Sequence, residues 1–357
     1  MRIKQQLRVY ALVLAVALMA PLLHRTYYLK VEYVARGEGV VGPEVFSRHF
    51  LLAPTIEGFQ ERDYAQVFIN GLPTSFAVKK DSEGNDYADP GSISFSGTIN
   101  ITLVQRVKVV APPFRGRWTL VEGIAWDKAG GKTYLGGFWR CNSSSKSFED
   151  LVSLSSQLRR SSSTVDQFIV NTVQWTLERF SYSVREEGGV MCPARFMERM
   201  SGSCGDVHAF VAALLKIQGV DTSLVYAYVV SPEARQSITT STTSFTLEGA
   251  YPHIFALANI SGILLPIDLT ASTGSSPADK VSGASVNMLD NMVILYRVNK
   301  GDPNDYLLVY APSGAQEVRL SIRVTADSWE ETGHYAVLAA GLALLLLLLR
   351  EGRATSA

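Results

Sequence analysis

The chain of 357 residues has no net charge to offer a partner: 33 Lys and Arg are balanced by 33 Asp and Glu, and these four types make up only 18% of it. Holding nucleic acid by its phosphates requires a basic face, and neither a charge excess nor a Lys/Arg run supplies one, so no nucleic-acid partner is expected. Cysteine is scarce too. Cys141, Cys192 and Cys204 are too few and too irregularly spaced for a disulfide scaffold or a CxxC-type zinc site, and an odd number leaves at least one thiol unpaired within the chain. No repeat of roughly 20–50 residues recurs, which excludes a solenoid or propeller. Neither a metal nor a cofactor is implied. Asp81-Ser-Glu-Gly-Asn-Asp86 looks superficially like a calcium loop, but it lacks the glycine and the closing glutamate such a loop needs, and a hairpin turn is expected instead.

Apolar residues are plentiful, at 47%. Their burial can offset the ordering entropy, so the chain folds, and its length leaves room for two modest domains. Two apolar runs lie at the ends. Val9 to Leu23 carries no charge, follows Arg2, Lys4 and Arg8, and stops at His24-Arg25. As a helix it spans only about 22 Å against a hydrocarbon core of ~30 Å, so residues 1–24 read as a signal anchor or a cleavable signal peptide. Thr332 to Leu349 is charge-free and closed by Arg350 and Arg353, and 332–350 is expected to be a transmembrane helix with 351–357 as a cytoplasmic tail. The positive-inside rule puts both basic flanks in the cytoplasm and the intervening chain outside the cell membrane. Sequons at Asn100, Asn142 and Asn259 are compatible with export but carry little weight.

Period-two patches at Tyr28–Val34, Ile93–Leu103 and Val107–Ala111, separated by Gly, Pro and Asp clusters, predict a β-rich accessory domain over 25–141. The polar stretch Asn142-Ser-Ser-Ser-Lys-Ser147 marks a boundary. A second domain is assigned to 142–312, followed by a strand or linker over 313–331. Within it, Thr164 and Gln167 read as a capping box, followed by an apolar stripe at Ile169, Val173, Leu177 and Phe180.

The clearest helix follows Ser203-Cys-Gly-Asp206. Apolar residues recur at Val207, Phe210, Val211, Leu214 and Leu215, and Gly219 ends the run. Ser203 fits the N-cap with Asp206 at the third helical position, which leaves Cys204 in the first turn, where the helix dipole stabilises a thiolate. The N–H groups there can also hydrogen-bond an oxyanion. Taken alone, the helix is equally compatible with a small core cysteine.

A nucleophilic thiolate needs a base, and the base needs an orienting group. Downstream, Tyr251–Ile260 and Ile263–Thr270 are strand-like runs joined by Ser261-Gly262, a two-residue hairpin loop. Pairing Ile260 with Ile263 puts His253 and Asp268 on one face as diagonal neighbours about 7 Å apart, within reach of a carboxylate–imidazole bond. A one-residue slip would separate them onto opposite faces. Each alone reads as an ordinary strand residue; together with Cys204 they form a candidate Cys-His-Asp triad.

With Gly202, Cys204, Gly219, Val220, His253 and Asp268 in this order, and Phe180-Ser-Tyr182 upstream, the chain resembles the transglutaminase-like superfamily over roughly residues 150 to 300. The resemblance implies an α+β, papain-like fold in which the cysteine helix packs on an antiparallel sheet bearing the histidine and aspartate. One departure is visible. Where the family commonly has H-x-W, this sequence has His253-Ile-Phe255, which keeps an aromatic wall and loses the indole N–H. His208 competes for the role of base, because it sits four residues after Cys204 on the same helix face. Cys141 and Cys192 are assigned structural roles, compatible with one disulfide outside the cell. Tyr182 and Trp175 are candidates for a second oxyanion donor.

The expected activity is that of a membrane-anchored, extracytoplasmic cysteine enzyme acting on amide bonds of a protein or peptide substrate through Cys204, His253 and Asp268, with water or an amine releasing a thioester. A non-catalytic cell-surface scaffold on the same fold is the alternative.

Overall fold

The structure is a computed structural model that describes residues 24–110, 118–128, 133, 135–141, 145–184, 188–270, 276–282 and 291–327. The terminal runs expected to engage a membrane lie outside the described residues. Among the described residues no helix is long and apolar enough to cross a membrane.

Alternation of apolar and polar residues builds the front half. Its elements are β1 (His24–Val41), α1 (Pro43–His49), β2 (Gln60–Ile69), β3 (Leu72–Thr74), β4 (Ala77–Lys80), β5 (Asp86–Asp89) and β6 (Ile93–Val110). Along β1 the residues Tyr27, Leu29, Val31, Tyr33 and Ala35 are buried while Tyr28, Lys30, Glu32, Val34 and Arg36 between and after them are more exposed, as a two-residue period requires. The two patches expected at 93–103 and 107–111 join, up to Val110, in one continuous strand, β6. The acidic 81–86 segment is the expected hairpin turn: Lys80 pairs with Asp86, and Asp81 Oδ1 accepts the N–H groups of Glu83 and Asn85 at 2.9 and 2.8 Å.

The helices follow: α2 (Trp118–Val121), α3 (Ser145–Arg160) and α4 (Val165–Leu177); then β7 (Ser181–Tyr182), α5 (Pro193–Arg199), β8 (Ser201–Gly202) and α6 (Cys204–Ile217). The chain continues through β9 (Thr222–Thr239), β10 (Thr243–Ile260), β11 (Ile263–Ile267), α7 (Pro277–Ser282), β12 (Met292–Val298) and β13 (Ala315–Ala326). The capping box expected at α4 is not formed. Gln167 Oε1 accepts the N–H of Ser163 at 2.9 Å, one residue before the Thr164 N-cap, and the buried Thr164 hydroxyl makes no hydrogen bond.

The fold is mixed α/β around one large sheet. Its strand order is β12-β9-β10-β13-β1-β6-β2-β3, with β11 also on β10. Pairing is antiparallel except between β10 and β13. β10 is the shared strand: Thr243–Glu248 pairs with β13, and Ala256–Ile260 with β11. The break falls at Gly249, where φ is +78° and a Cβ would lie 2.0 Å from the Val324 carbonyl oxygen. Only glycine allows that approach.

The outer edge of β12 is covered by side chains from the front half. Gln60 donates to the Ile294 carbonyl at 2.9 Å and accepts its N–H at 2.8 Å, and Asn85 treats Arg297 the same way at 2.8 and 2.9 Å. Glu83 accepts the N–H groups of Asn299, Lys300 and Gly301. These carboxamides and the carboxylate take the place of a neighbouring strand, satisfying backbone groups that an edge leaves open.

Helix α6 packs on β9 and β10, with α3, α4 and α5 against it. Every residue from Gly205 to Lys216 is buried, so this helix runs through the core rather than along its surface. Its one lysine, Lys216, donates to the Asn299 carbonyl at 2.8 Å and lies 4.7 Å from the Trp139 ring centroid; burial pushes its pKa down to about 8.

Candidate active site

Ser203 caps α6 as its sequence predicts, and Cys204 occupies the first helical position. Asp206 completes the cap, its Oδ2 accepting the Ser203 N–H at 2.8 Å and the Ser203 hydroxyl at 3.1 Å. Its other oxygen accepts the Met191 N–H at 2.5 Å, tying the preceding loop to the helix start. Two glycines permit this closeness. A Cβ on Gly202 would meet Asp206 Oδ2 at 2.6 Å, and one on Gly205 would meet Val190 and Ile254 at 2.8 and 3.0 Å.

The loop before α5 is braced by a Cys141–Cys192 disulfide, with Cα atoms 5.2 Å apart. Cys204 is the free cysteine, and it is half-buried.

The hairpin has the expected register: Ile260 pairs with Ile263 and Ala256 with Ile267, through a turn in which Ser261 and Gly262 both have positive φ. Asp268 is the first residue past β11. His253 Nε2 lies 2.7 Å from Asp268 Oδ2, with the histidine 7% and the aspartate 2% exposed. Asp268 Oδ1 accepts the Thr270 N–H at 3.0 Å, and the Asp268 N–H donates to the Lys280 carbonyl at 2.8 Å. Nε2 is thus engaged by Asp268, and the Cys204 sulfur lies close enough to act on the ring. The structure therefore brings all three sequence-predicted residues together.

Burial alone would strip His253 of its charge. The Asp268 carboxylate, through charge and hydrogen bond, and the Cys204 sulfur outweigh it and raise the pKa to about 10, so the ring carries a proton at neutral pH. Phe255 stacks beside it, ring centroids 6.1 Å apart and planes at 17°. The aromatic wall inferred from His253-Ile-Phe255 is therefore present.

His208 does not face the sulfur. Its Nδ1 lies 2.7 Å from the Cys204 carbonyl oxygen, and its Nε2 accepts the Leu269 N–H at 2.9 Å. Both nitrogens are occupied by backbone, and burial pushes its pKa down to about 4. Tyr182 stands at the rim, 59% exposed on β7 and paired with Gly202; its hydroxyl is held above the ordinary range by partial burial and then by the charges of Cys204 and Asp206. Trp175 packs instead on Phe210 and under Arg179. Sequence reading missed Tyr226. It lies close enough for the charge of Cys204 to act on it, donates to the Pro303 carbonyl at 3.1 Å and stacks on Tyr296, 4.4 Å between centroids. Its place on a strand of unbroken apolar character gave no sign of this.

Neither a family model nor a curated protein sequence matches the chain. Among solved structures it is similar to a candidate cysteine protease from Cytophaga hutchinsonii, at 11% identity and a TM-score of 0.46, over 85% of this chain and 90% of that one. It is also similar to the periplasmic domain of TgpA from Pseudomonas aeruginosa, at 13% identity and a TM-score of 0.29, over 67% of this chain and 86% of that one. A third likeness is to a TGase, at 14% identity and a TM-score of 0.26, over 49% of this chain and 44% of that one. Likenesses at TM-scores this low carry no functional argument, so the chemistry has to be read from the site itself.

Proposed function

We propose that the protein is a transglutaminase-like cysteine enzyme that cleaves or transfers amide bonds of a protein or peptide substrate. The observation that carries this reading is the 2.7 Å hydrogen bond between His253 and Asp268, with Cys204 at the start of a buried helix close enough to help keep the His253 ring protonated at neutral pH. Cys204 attacks the carbonyl carbon as the thiolate, and the carbonyl oxygen takes up the electron pair. The N–H of Cys204, at the positive end of α6, is suited to hold that oxyanion. As the C–N bond breaks, His253 gives its proton to the departing amine, leaving a thioester on Cys204. Water, or a second amine, then attacks the thioester and returns a proton to His253 while the thiolate departs. Asp268 holds the imidazole and stabilises its charged form.

The protein is read as anchored in the cell membrane with this site outside the cytoplasm. Support comes from the basic flanks of both terminal apolar runs and from the Cys141–Cys192 disulfide, which fits an oxidising compartment.

The test is to incubate the purified chain with carboxamide-bearing peptides and an isotopically labelled amine, and to weigh the products. A hydrolysed or amine-linked peptide, lost in Cys204→Ala, is the expected result. An unreactive Cys204 and unchanged peptides would leave the scaffold reading standing.

A further inference from the structure

His208 is a fully buried histidine that the proposed chemistry does not use. Its two ring nitrogens nevertheless touch the two parts of the chain that must stay aligned. Nδ1 lies 2.7 Å from the carbonyl oxygen of Cys204, and Nε2 lies 2.9 Å from the N–H of Leu269, the residue after Asp268. A backbone N–H can only donate, so Nε2 is the unprotonated nitrogen. A carbonyl can only accept, so Nδ1 carries the hydrogen. The Ile254 carbonyl on β10 also acts on the ring, but the Leu269 N–H needs an acceptor and selects the neutral Nδ1–H tautomer.

We propose that His208 is a positioning residue: as one neutral ring it spans from the Cys204 carbonyl to the Leu269 amide and holds Asp268 in register with the start of α6. The inference rests on the proposed function only in that the alignment it maintains is the one His253 and Cys204 require.

The groups around the ring agree with this role. Asp268 Oδ1 is 3.6 Å from Nε2, too far for a hydrogen bond, so the neutral ring leaves the carboxylate to His253. His253 itself, on β10, meets His208 edge-on with centroids 6.2 Å apart, and Lys280 on α7 acts on Asp268 through its charge. A ring protonated at Nε2 would set a donor against the Leu269 N–H and draw Asp268 away from His253. Without the ring, Leu269 would keep a buried N–H with no acceptor. A histidine that merely filled space would need neither bond.

Nitrogen-15 spectra of histidine-labelled full-length protein test this. At neutral pH His208 is expected to be protonated on Nδ1 and bare on Nε2; an Nε2–H tautomer or an imidazolium overturns the proposal, whatever any variant does. Two substitutions then separate the two bonds. His208→Gln can place its carbonyl oxygen where Nε2 accepts the Leu269 N–H, whereas His208→Asn reaches only the Cys204 carbonyl. His208→Asn is expected to lower the pH at which His253 loses its proton by about one unit, equivalent to about a tenfold change in the equilibrium, and His208→Gln to restore it. Unchanged His253 titration in both variants, or equal loss in both, overturns the role. These spectra need no substrate, so an absence of acyl transfer, which would defeat the proposed function, leaves them readable.

Discussion

His208 and His253 meet edge to face beside Asp268, ring centroids 6.2 Å apart and planes at 86°, yet they hold different charge states. His253 shares a 2.7 Å bond with the carboxylate and keeps its proton to about pH 10; His208 is bonded only to backbone, and burial keeps it neutral down to about 4. Environment, not residue type, separates the two roles.

This separation makes stability depend on pH in a definite direction. The unfolded chain releases the His253 proton near 6.5, while the folded state keeps it to about 10, so folding takes up a proton between those values and stability falls as pH rises through them. Lys216, lowered to about 8, opposes this at the alkaline end. Comparing the wild type with Asp268→Asn by denaturant titration cancels the lysine: the advantage of the wild type is expected to shrink between pH 7 and 10. On the acid side, His208 and His49, the latter lowered to about 3, are neutral in the fold, so stability falls as pH drops below 6.5.

Iodoacetamide is expected to label one thiol per unreduced chain, at Cys204, because the other two cysteines are joined. Intact mass reads the stoichiometry. Two or three labels would show that the disulfide is not formed in solution, and Cys204→Ala should take no label.

Replacing His253 by Ala removes the proton donor and is expected to lower turnover by about 10²–10⁴-fold, and to lower the melting temperature as well because it leaves the buried Asp268 carboxylate without its partner. Asp268→Asn retains the shape and loses the charge that holds the proton, so it should also slow turnover and move the pH optimum downward. Turnover kinetics across pH distinguish these outcomes; full activity in His253→Ala would assign the base elsewhere.

Breaking the disulfide with Cys141→Ser and Cys192→Ser together opens a link between residues 51 apart. Chain-entropy reasoning puts the loss of stability at about 4 kcal/mol, measurable by urea titration. An unchanged midpoint would mean that the bridge contributes nothing to holding the loop before α5.

Gly249→Ala forces a side chain into a positive-φ bend and against the Val324 carbonyl. Destabilisation of about 2 kcal/mol or more is expected, since neither the backbone conformation nor the close approach tolerates a Cβ. Thermal melting checks it, with Gly71→Ala as a control for φ alone, because open space surrounds that glycine.

Much of the site was legible because it rests on local rules. Ser203 and Asp206 announce a capped helix whose first residue is Cys204, and a two-residue Ser261-Gly262 loop fixes the register that puts His253 and Asp268 on one face. These are short-range matters of capping geometry and strand periodicity. The capping box at Thr164 was read by the same rules and did not form, because Gln167 bonds Ser163, one residue before the N-cap, while the threonine hydroxyl is buried by packing.

By itself the sequence determined where the cysteine helix starts, which histidine can pair with which aspartate, and that neither charge nor metal motifs direct the chain elsewhere. Only the tertiary structure decided that His208 serves backbone rather than sulfur, that Cys141 pairs with Cys192, and that β10 bends at Gly249 to carry both halves in one sheet. The same holds for the edge of β12, sealed by Gln60, Asn85 and Glu83 from more than two hundred residues away in the chain. The physical reason is range. Caps and hairpins are set by neighbours a few residues apart, whereas the partner of a buried nitrogen or an open strand edge is chosen by packing that no local pattern encodes.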